Sequence, residues 1–173
     1  MSVLAAFKRL PAVQRGRIIL GVQLTTAVLV LFSAPIINWL MEADSVGVFA
    51  SNYYSDDHAA RFATDGIPAT EWLLPDGMLG YIELSFGSKR TIHGVTVTNG
   101  HNLNYMDRAI KKARISVFDG DEVVEKHDVE LPGIEPDHRQ RRIELKGHRA
   151  SRVRLEVLEF DGLGAALAEF VVD

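Results

Sequence analysis

The sequence predicts an all-β domain that follows a single transmembrane α-helix. Three observations lead to this fold class. An uncharged apolar run occupies residues 18–40, and the chain of 173 residues leaves room for one domain of ordinary size after it. From residue 49 onward, short segments alternate apolar and polar residues and are separated by turns that contain Gly or Asp. Many short strands of this kind are typical of a sandwich or a barrel.

The apolar run predicts a transmembrane helix over residues 18–41. At about 1.5 Å per residue the run spans about 34 Å, which exceeds the hydrocarbon thickness of about 30 Å. A cleaved signal peptide is the alternative interpretation. It fits less well, because the apolar part of a signal peptide is only about 7 to 15 residues long. The small-residue spacing of a cleavage site is also missing around Ser33, Ala34 and Pro35.

The charges that flank this run predict its orientation. Cationic flanks stay on the cytoplasmic side, so residues 1–17 are expected in the cytoplasm and the domain over residues 49–173 outside. The chain would then be a single-pass protein of the cell inner membrane with a periplasmic domain. Residues 42–48 form a link of at most about 25 Å, which keeps the domain close to the bilayer. The flanking charges are Lys8, Arg9, Arg15 and Arg17 before the run, and Glu42 and Asp44 after it.

Composition excludes several classes of function. The formal net charge is −4, and the four cationic residues before the apolar run leave the remainder still more acidic. An acidic domain is not expected to bind nucleic acid. The chain has no Cys, so disulfides, thiolate chemistry and Cys-ligated zinc are all excluded.

The predicted strands are separated by turn signals. Alternation predicts strands at residues 81–86, 92–98, 113–118, 141–145 and 153–158. The expected turns between and after these strands centre on glycines next to a polar residue or a proline, namely Gly87-Ser88, Asn99-Gly100, Asp119-Gly120, Pro132-Gly133, Lys146-Gly147 and Asp161-Gly162.

An ordered set of short motifs carries a family resemblance. Residues 63–72 contain A-x-D-G-x-x-x-T-x-W, and residues 81–87 form an aromatic-led strand that ends in Gly. Further matching segments follow in order at residues 92–100, 108–120, 150–157 and 168–172. In this order the chain resembles the discoidin family, the galactose-binding-like β-sandwich that also occurs as coagulation-factor C-type domains and many carbohydrate-binding modules.

The resemblance covers nearly the whole chain from Ala50 to the end. It implies a jelly-roll binding module whose loops at one end hold the ligand, and it does not imply catalysis. The chain departs from the family in two respects: it cannot form the disulfide that ties the ends of many discoidin domains, and it has Tyr81 where Trp is common.

The resemblance also implies a structural calcium ion. In several carbohydrate-binding relatives this ion lies near the aspartate of the D-G turn, and the matching residues here are Asp65, Thr70 and Glu169. Oxygen ligands of this kind suit Ca²⁺. The alternative is that Asp65 caps its turn and Thr70 bonds locally, as such residues usually do.

A sugar site on this fold typically combines an aromatic platform with His, Arg and Asn donors. Planar donors suit the vicinal hydroxyls of a sugar. The alternative is that turn chemistry explains the polar residues near Asn99 and Gly100. The candidate ligand-binding residues are His58, Arg61, His101, Asn102, Asn104, Tyr105 and Arg108.

The candidate partner contacts are apolar or small. The loop over residues 72–79 is unusually apolar, so Leu73, Leu74 and Met78 either form an exposed patch for a partner or pack into the end of the sandwich. In the predicted helix, two pairs of small or polar residues lie four apart, so they can line a stripe facing integral membrane subunits. These pairs are Gly21 with Thr25, and Gln23 with Ala27.

Two functional hypotheses follow, and neither is enzymatic, because no G-x-S-x-G, H-E-x-x-H, P-loop or G-x-G-x-x-G motif occurs. The first is an accessory subunit that binds and stabilises a larger membrane protein complex, which the short link and the helix stripe favour. The second is a membrane-anchored carbohydrate-binding module for cell-envelope glycans.

Overall fold

A computed structural model of the chain describes residues 45–133 and 140–173. The predicted transmembrane helix, with Gly21, Gln23, Thr25 and Ala27, lies outside the described residues, as do residues 1–17. No helix in the two described ranges is long and apolar enough to cross a membrane.

The described residues form seven β-strands and two short 3₁₀ helices. We label the strands β1 to β7 and the 3₁₀ helices η1 and η2, in chain order. Strands dominate because alternating apolar residues can bury one face of each strand while the other face meets solvent. The elements are β1 (Val46–Ala50), η1 (Asp56–His58), η2 (Ala60–Ala63), β2 (Trp72–Leu73), β3 (Tyr81–Asn99), β4 (Arg108–Asp119), β5 (Glu122–Glu130), β6 (Gln140–Gly162) and β7 (Ala166–Val172).

The strands pair antiparallel in the order β2-β7-β3-β6-β4-β5, and β1 pairs with β3. The long strands β3 and β6 run beside each other, but their register shifts between Ser85 and Arg90 and again between Ile92 and Gly94. Before the shifts β3 pairs with β1, and after them it pairs with β7. The sheet therefore bends at this point and folds over into the two layers of a sandwich.

The core lies between the two layers. Ile82 and Leu84 come from the first half of β3 and Val95 and Val97 from the second half, yet all four belong to one buried apolar cluster. Phe170 of β7 joins them. Burying each such side chain contributes about 1.5 to 3 kcal/mol, so this cluster is the main source of stability.

Two of the predicted turns are wrong. Gly87 and Gly147 do not reverse the chain, because each lies inside one long strand where the register shifts. Gly147 has a φ of 79°, and a Cβ at this position would come within 3.0 Å of the His93 ring. A glycine is needed there to bend the strand. The turn at Gly120 is confirmed between β4 and β5, with a φ of 63°.

Three strands that lie at edges of the sheet, β1, β2 and β5, were not predicted as strands. β2 has only two residues and lies inside the segment over residues 72–79 that the sequence predicts to be a loop. β1 begins at Val46, inside the segment over residues 42–48 that the sequence predicts to be a link. β5 is rich in charge, and only Glu125 and Val129 are buried along it. Edge strands bury less surface than central ones, so their apolar alternation is weak and the pattern misses them.

Candidate functional site

The loops at one end of the sandwich enclose a cavity of about 300 Å³, which we call the loop-end pocket. Its walls come from four connections: the segment that leads into η1, the loop after β2, the loop between β3 and β4, and the turn between β6 and β7. Sequence-distant segments converge here because antiparallel strands return the chain to the same end. The polar and aromatic lining consists of Tyr54, His58, Asp76, Asn102, Tyr105, Asp107 and Arg108.

Arg108 forms a rigid wall of this pocket. It is only 4% exposed, Nη1 donates a hydrogen bond of 2.8 Å to the carbonyl oxygen of Leu74, and Nη2 pairs with the Asp76 carboxylate. Nε makes no hydrogen bond within the described residues and faces Asp107 Oδ1 at 3.7 Å. The Tyr54 ring lies 5.0 Å from the guanidinium carbon, a cation–π distance. These contacts hold the guanidinium in one orientation.

Tyr54 and His58 are placed by the backbone of β2 and of Glu71, the residue directly before it. The Tyr54 N–H donates 2.8 Å to the carbonyl oxygen of Leu73, and His58 Nδ1 lies 3.3 Å from the carbonyl oxygen of Glu71. Their rings meet edge to face with centroids 6.3 Å apart. The aromatic side of the pocket is therefore fixed by contacts to the core strand rather than by the loop alone.

The loop between β3 and β4 is held by a buried carboxylate, Glu71. Its Oε1 accepts the His101 N–H at 3.1 Å and lies 2.8 Å from His101 Nδ1, while Oε2 accepts the Asn102 N–H at 2.7 Å. Asn102 has a φ of 58°, in the left-handed region that Asn tolerates better than most residues. Its Nδ2 donates 2.8 Å to Asp107 Oδ1. Glu71 thus sets the position of the Asn102 amide in the pocket.

The structure brings four of the predicted ligand-binding residues together. His58, Asn102, Tyr105 and Arg108 all line the loop-end pocket. His101 does not, because its buried ring turns inward to Glu71.

Arg61 and Asn104 also lie outside the lining of the loop-end pocket. Arg61 Nη2 donates to the carbonyl oxygen of Asp56, and its guanidinium covers the Phe62 ring at 4.4 Å. Asn104 is exposed on the loop between β3 and β4.

Four residues of the site were missed by sequence reasoning: Tyr54, Glu71, Asp76 and Asp107. The best available signal was Glu71, a carboxylate placed directly before the buried Trp72. A charged residue next to a buried apolar segment requires partners, which marks it as part of a polar network. Asp76 and Asp107 look like ordinary turn residues in the sequence, so nothing distinguished them.

The candidate metal residues lie together near the start of the D-G turn. Asp65 Oδ1 accepts the Ile67 N–H at 2.9 Å, and the Thr70 hydroxyl lies 2.8 Å from Asp65 Oδ2. The local bonding that the alternative interpretation predicts is therefore present. The described residues contain no cluster of three or more His, Cys, Asp or Glu side chains suited to a metal. A cation here would need hydroxyl and carbonyl oxygens as well.

Glu169 is the feature that local bonding leaves unexplained. It is 6% exposed, and neither carboxylate oxygen has a hydrogen bond of normal geometry to any described residue. Burial and the negative charge of Asp65 raise the pKa of Glu169, and the nearby N–H groups of Gly66 and Ile67 offset only part of this rise. A buried, unpartnered carboxylate beside a second carboxylate fits a hard divalent cation such as Ca²⁺.

The apolar loop after β2 divides into two parts. Leu73 and Leu74 are buried, because Leu73 pairs with Ala166 of β7 and the Leu74 N–H donates to Ala165. The expectation that these two residues contact a partner is therefore corrected in favour of packing into the end of the sandwich. Met78 is exposed, and its role as a partner contact stays a prediction.

Comparison with known proteins identifies the fold. No family model matches the chain, and no curated protein matches it. Among solved structures, chitosan-binding module 1 of a chitosanase/glucanase from Paenibacillus sp. IK-5 is 21% identical with a TM-score of 0.58, over 76% of this chain and 97% of that one. A fucose-binding module of Streptococcus pneumoniae, SpX-3, is 17% identical with a TM-score of 0.60, over 76% and 96%.

A third similar structure is the family 32 carbohydrate-binding module of NanJ from C. perfringens, solved in complex with galactose. It is 17% identical with a TM-score of 0.59, over 73% of this chain and 92% of that one. At this level of identity the likeness is one of fold. It shows that the described domain is an all-β, galactose-binding-like sandwich, as the resemblance to discoidin domains implies.

Proposed function

We propose that the described domain is a non-catalytic carbohydrate-binding module that holds one end or branch of a glycan in the loop-end pocket. The observation that carries the proposal is the combination of exposed aromatic rings with hydrogen-bonding groups held in fixed positions. Tyr105 is 74% exposed beside the pocket, while Asn102, Asp107 and Arg108 are held by Glu71, Asp76 and one another. Such a pocket is ready for a ligand before the ligand arrives.

A sugar ring can contact both the aromatic rings and the hydrogen-bonding groups of the pocket. Its C–H face packs on an aromatic ring, and its hydroxyls donate to carboxylates and accept from amides. The carboxylates of Asp76 and Asp107 and the amide of Asn102 supply both kinds of partner. A volume of about 300 Å³ is at the small end for a ligand pocket, which favours recognition of one or two sugar units.

The comparisons support glycan binding over the accessory-subunit hypothesis. The similar structures are named for binding chitosan, fucose or galactose. No described contact favours a protein partner to the same extent, since Leu73 and Leu74 are buried. An anchor over residues 18–41 would hold the module at the exterior face of the membrane, where it would meet cell-envelope glycans, and this location remains part of the proposal.

The proposal includes a structural Ca²⁺ that Asp65, Thr70 and Glu169 would hold. This ion would neutralise the two carboxylates and give the Glu169 oxygens the partners they lack in the described residues. Its effect would be on the stability of the domain, because these residues do not line the loop-end pocket.

The test is glycan binding by the full-length chain in detergent. A glycan array finds the preferred sugar, and calorimetry then compares the wild type with Tyr105→Ala. We expect the substitution to weaken binding at least tenfold, or about 1.4 kcal/mol. Tyr53→Ala is the matched control, because Tyr53 is exposed but does not line the pocket. Absence of binding to any glycan, or equal affinities for wild type and Tyr105→Ala, would overturn the proposal.

A further inference from the structure

We infer that the loop-end pocket prefers sugars that carry an ammonium group over neutral sugars, and excludes sugars that carry a carboxylate. The inference rests on the proposed function and names its ligand class. It follows from which charged groups of the pocket are already paired within the protein. A group that is fully paired cannot bind a ligand, whereas an exposed group can.

Among the residues that the structure describes, Arg108 is the only one that brings a guanidinium to the loop-end pocket, and its two Nη groups already bond to the protein. Arg108 is almost fully buried, Nη1 serves the Leu74 carbonyl and Nη2 serves Asp76. A carboxylate on a sugar is bound best by two parallel N–H donors of one arginine. Arg108 cannot offer such a pair without giving up its own partners, so an acidic sugar would find no cation to compensate its charge.

The carboxylates, in contrast, remain open to a ligand. The side chain of Asp76 is 60% exposed even though it pairs with Arg108. Asn102 and Arg108 both contact Oδ1 of Asp107, but the Asp107 side chain is still 29% exposed, so a ligand can reach its carboxylate. Two carboxylates against one guanidinium leave the lining with an excess of negative charge.

The rim of the pocket adds further negative charge. His58 ends the 3₁₀ helix η1, and the two residues before it are Asp56 and Asp57. Arg61 of the following 3₁₀ helix η2 is engaged with the Asp56 carbonyl oxygen and the Phe62 ring. The exposed ring of Tyr105 adds an electron-rich face that attracts an ammonium group. An amino sugar therefore meets acceptors and an aromatic face, while a uronic acid meets like charge.

The experiment compares three trisaccharides by calorimetry with the full-length chain at about pH 6, where ordinary carboxylates are ionised. The probes are the trimers of glucosamine, N-acetylglucosamine and galacturonic acid. We expect the glucosamine trimer to bind at least about tenfold more tightly than the acetylated trimer, and the galacturonic acid trimer not to bind. The preference should also fall when salt is raised, because charge attraction is screened.

Asp107→Asn should remove the preference for glucosamine over the acetylated trimer, because it removes one negative charge from the lining while its amide oxygen can still accept from Asn102. Asp76→Asn, which keeps an acceptor for Arg108, provides a second variant, and unfolding midpoints check that both variants fold. Asp121→Asn is the control, because Asp121 is fully exposed in the turn between β4 and β5.

Equal affinity for the amino and acetylated trimers, or tighter binding of the acidic trimer, overturns the inference and leaves the proposed function standing. Failure of all three trimers to bind also overturns it. In that case, binding of some other glycan that Tyr105→Ala abolishes would still support the proposed function.

Discussion

The Glu71 carboxylate accepts the backbone N–H of Asn102 at 2.7 Å across 31 residues of sequence. This bond links the residue directly before β2 to the loop that contributes Asn102, Tyr105 and Asp107 to the pocket lining. Asn102 has a left-handed backbone at this position, and its side chain reaches Asp107. Glu71 therefore holds the loop between β3 and β4 in the conformation that forms one wall of the loop-end pocket.

Glu71→Gln should loosen this loop. Glutamine keeps one oxygen acceptor but replaces the other with a donor, which faces an N–H group and cannot bond to it. Since a buried hydrogen bond to a charged group contributes about 1.5 to 3 kcal/mol, we expect the free energy of unfolding to fall by that order and glycan affinity to fall as well. Chemical denaturation and calorimetry measure the two effects.

Glu122→Gln is the control for this change, because Glu122 is exposed on β5. A Glu71→Gln protein with unchanged glycan affinity would show that the loop conformation does not depend on Glu71.

Asn102 offers a way to separate backbone conformation from side-chain chemistry. A left-handed φ costs about 1 to 2 kcal/mol for a residue with an ordinary Cβ and little for glycine. We therefore expect Asn102→Gly to stay close to wild-type stability, whereas Asn102→Ala loses about 1 kcal/mol. Both variants lack the amide that faces Asp107, so both should bind glycan more weakly. Equal stabilities of the two variants would argue against a strained backbone at this position.

Glu169→Gln should stabilise the domain in the absence of calcium. Burial and Asp65 raise the pKa of Glu169, so its contribution to stability is present at low pH and is lost as the pH rises through the folded-state pKa. The unfolding midpoint of Glu169→Gln should therefore exceed that of wild type increasingly between about pH 4 and pH 7. Glu159→Gln, in an exposed pair with Lys111, should show no such trend.

Calcium should reverse the order of the two proteins. Millimolar Ca²⁺ is expected to raise the wild-type midpoint, because an ion that binds only the folded state adds about 2.7 kcal/mol at a concentration 100 times its dissociation constant. Glu169→Gln lacks the charge and should respond little. A wild-type midpoint that is indifferent to Ca²⁺ would rule out the predicted metal site.

The stabilising contribution of Glu125 should depend on pH in the opposite direction to that of Glu169. Burial alone would raise its pKa, but hydrogen bonds from His127 and from the Lys146 N–H outweigh burial and lower it. Its stabilising contribution is thus present above the unfolded-state pKa and is lost as the pH falls through the lower folded-state pKa. Glu125→Gln should destabilise the protein by about 1 to 3 kcal/mol at pH 7 and by less under acid conditions. Glu130→Gln, exposed on the same strand, serves as the comparison in pH-dependent thermal unfolding.

The central strands could be predicted from sequence because their pattern is local. Residues 81–86 and 113–118 alternate cleanly, and both lie within strands of the structure. The glycines were harder to interpret. Gly87 and Gly147 carry the same turn signal as Gly120, but only Gly120 reverses the chain. A bulge and a hairpin both need a flexible residue, and the choice between them depends on which strands pair at a distance.

The residues of the site were also only partly predictable from the sequence. Residue type and loop position were enough to select His58, Asn102, Tyr105 and Arg108 as ligand-binding candidates, and all four line the pocket. His101 has the same type and position, yet it turns inward because Glu71, thirty residues earlier, provides a buried acceptor. Orientation is set by such distant partners, which no local pattern reveals.

The passage of β3 and β6 through both layers of the sandwich has a consequence for how the domain comes apart. Neither layer can open while the other stays intact, since each depends on the same two strands and on one shared core. The described domain should therefore unfold in a single cooperative transition, with fluorescence and circular dichroism giving the same midpoint. Pairing strands so far apart in sequence should also make refolding slow, on the scale of milliseconds to seconds.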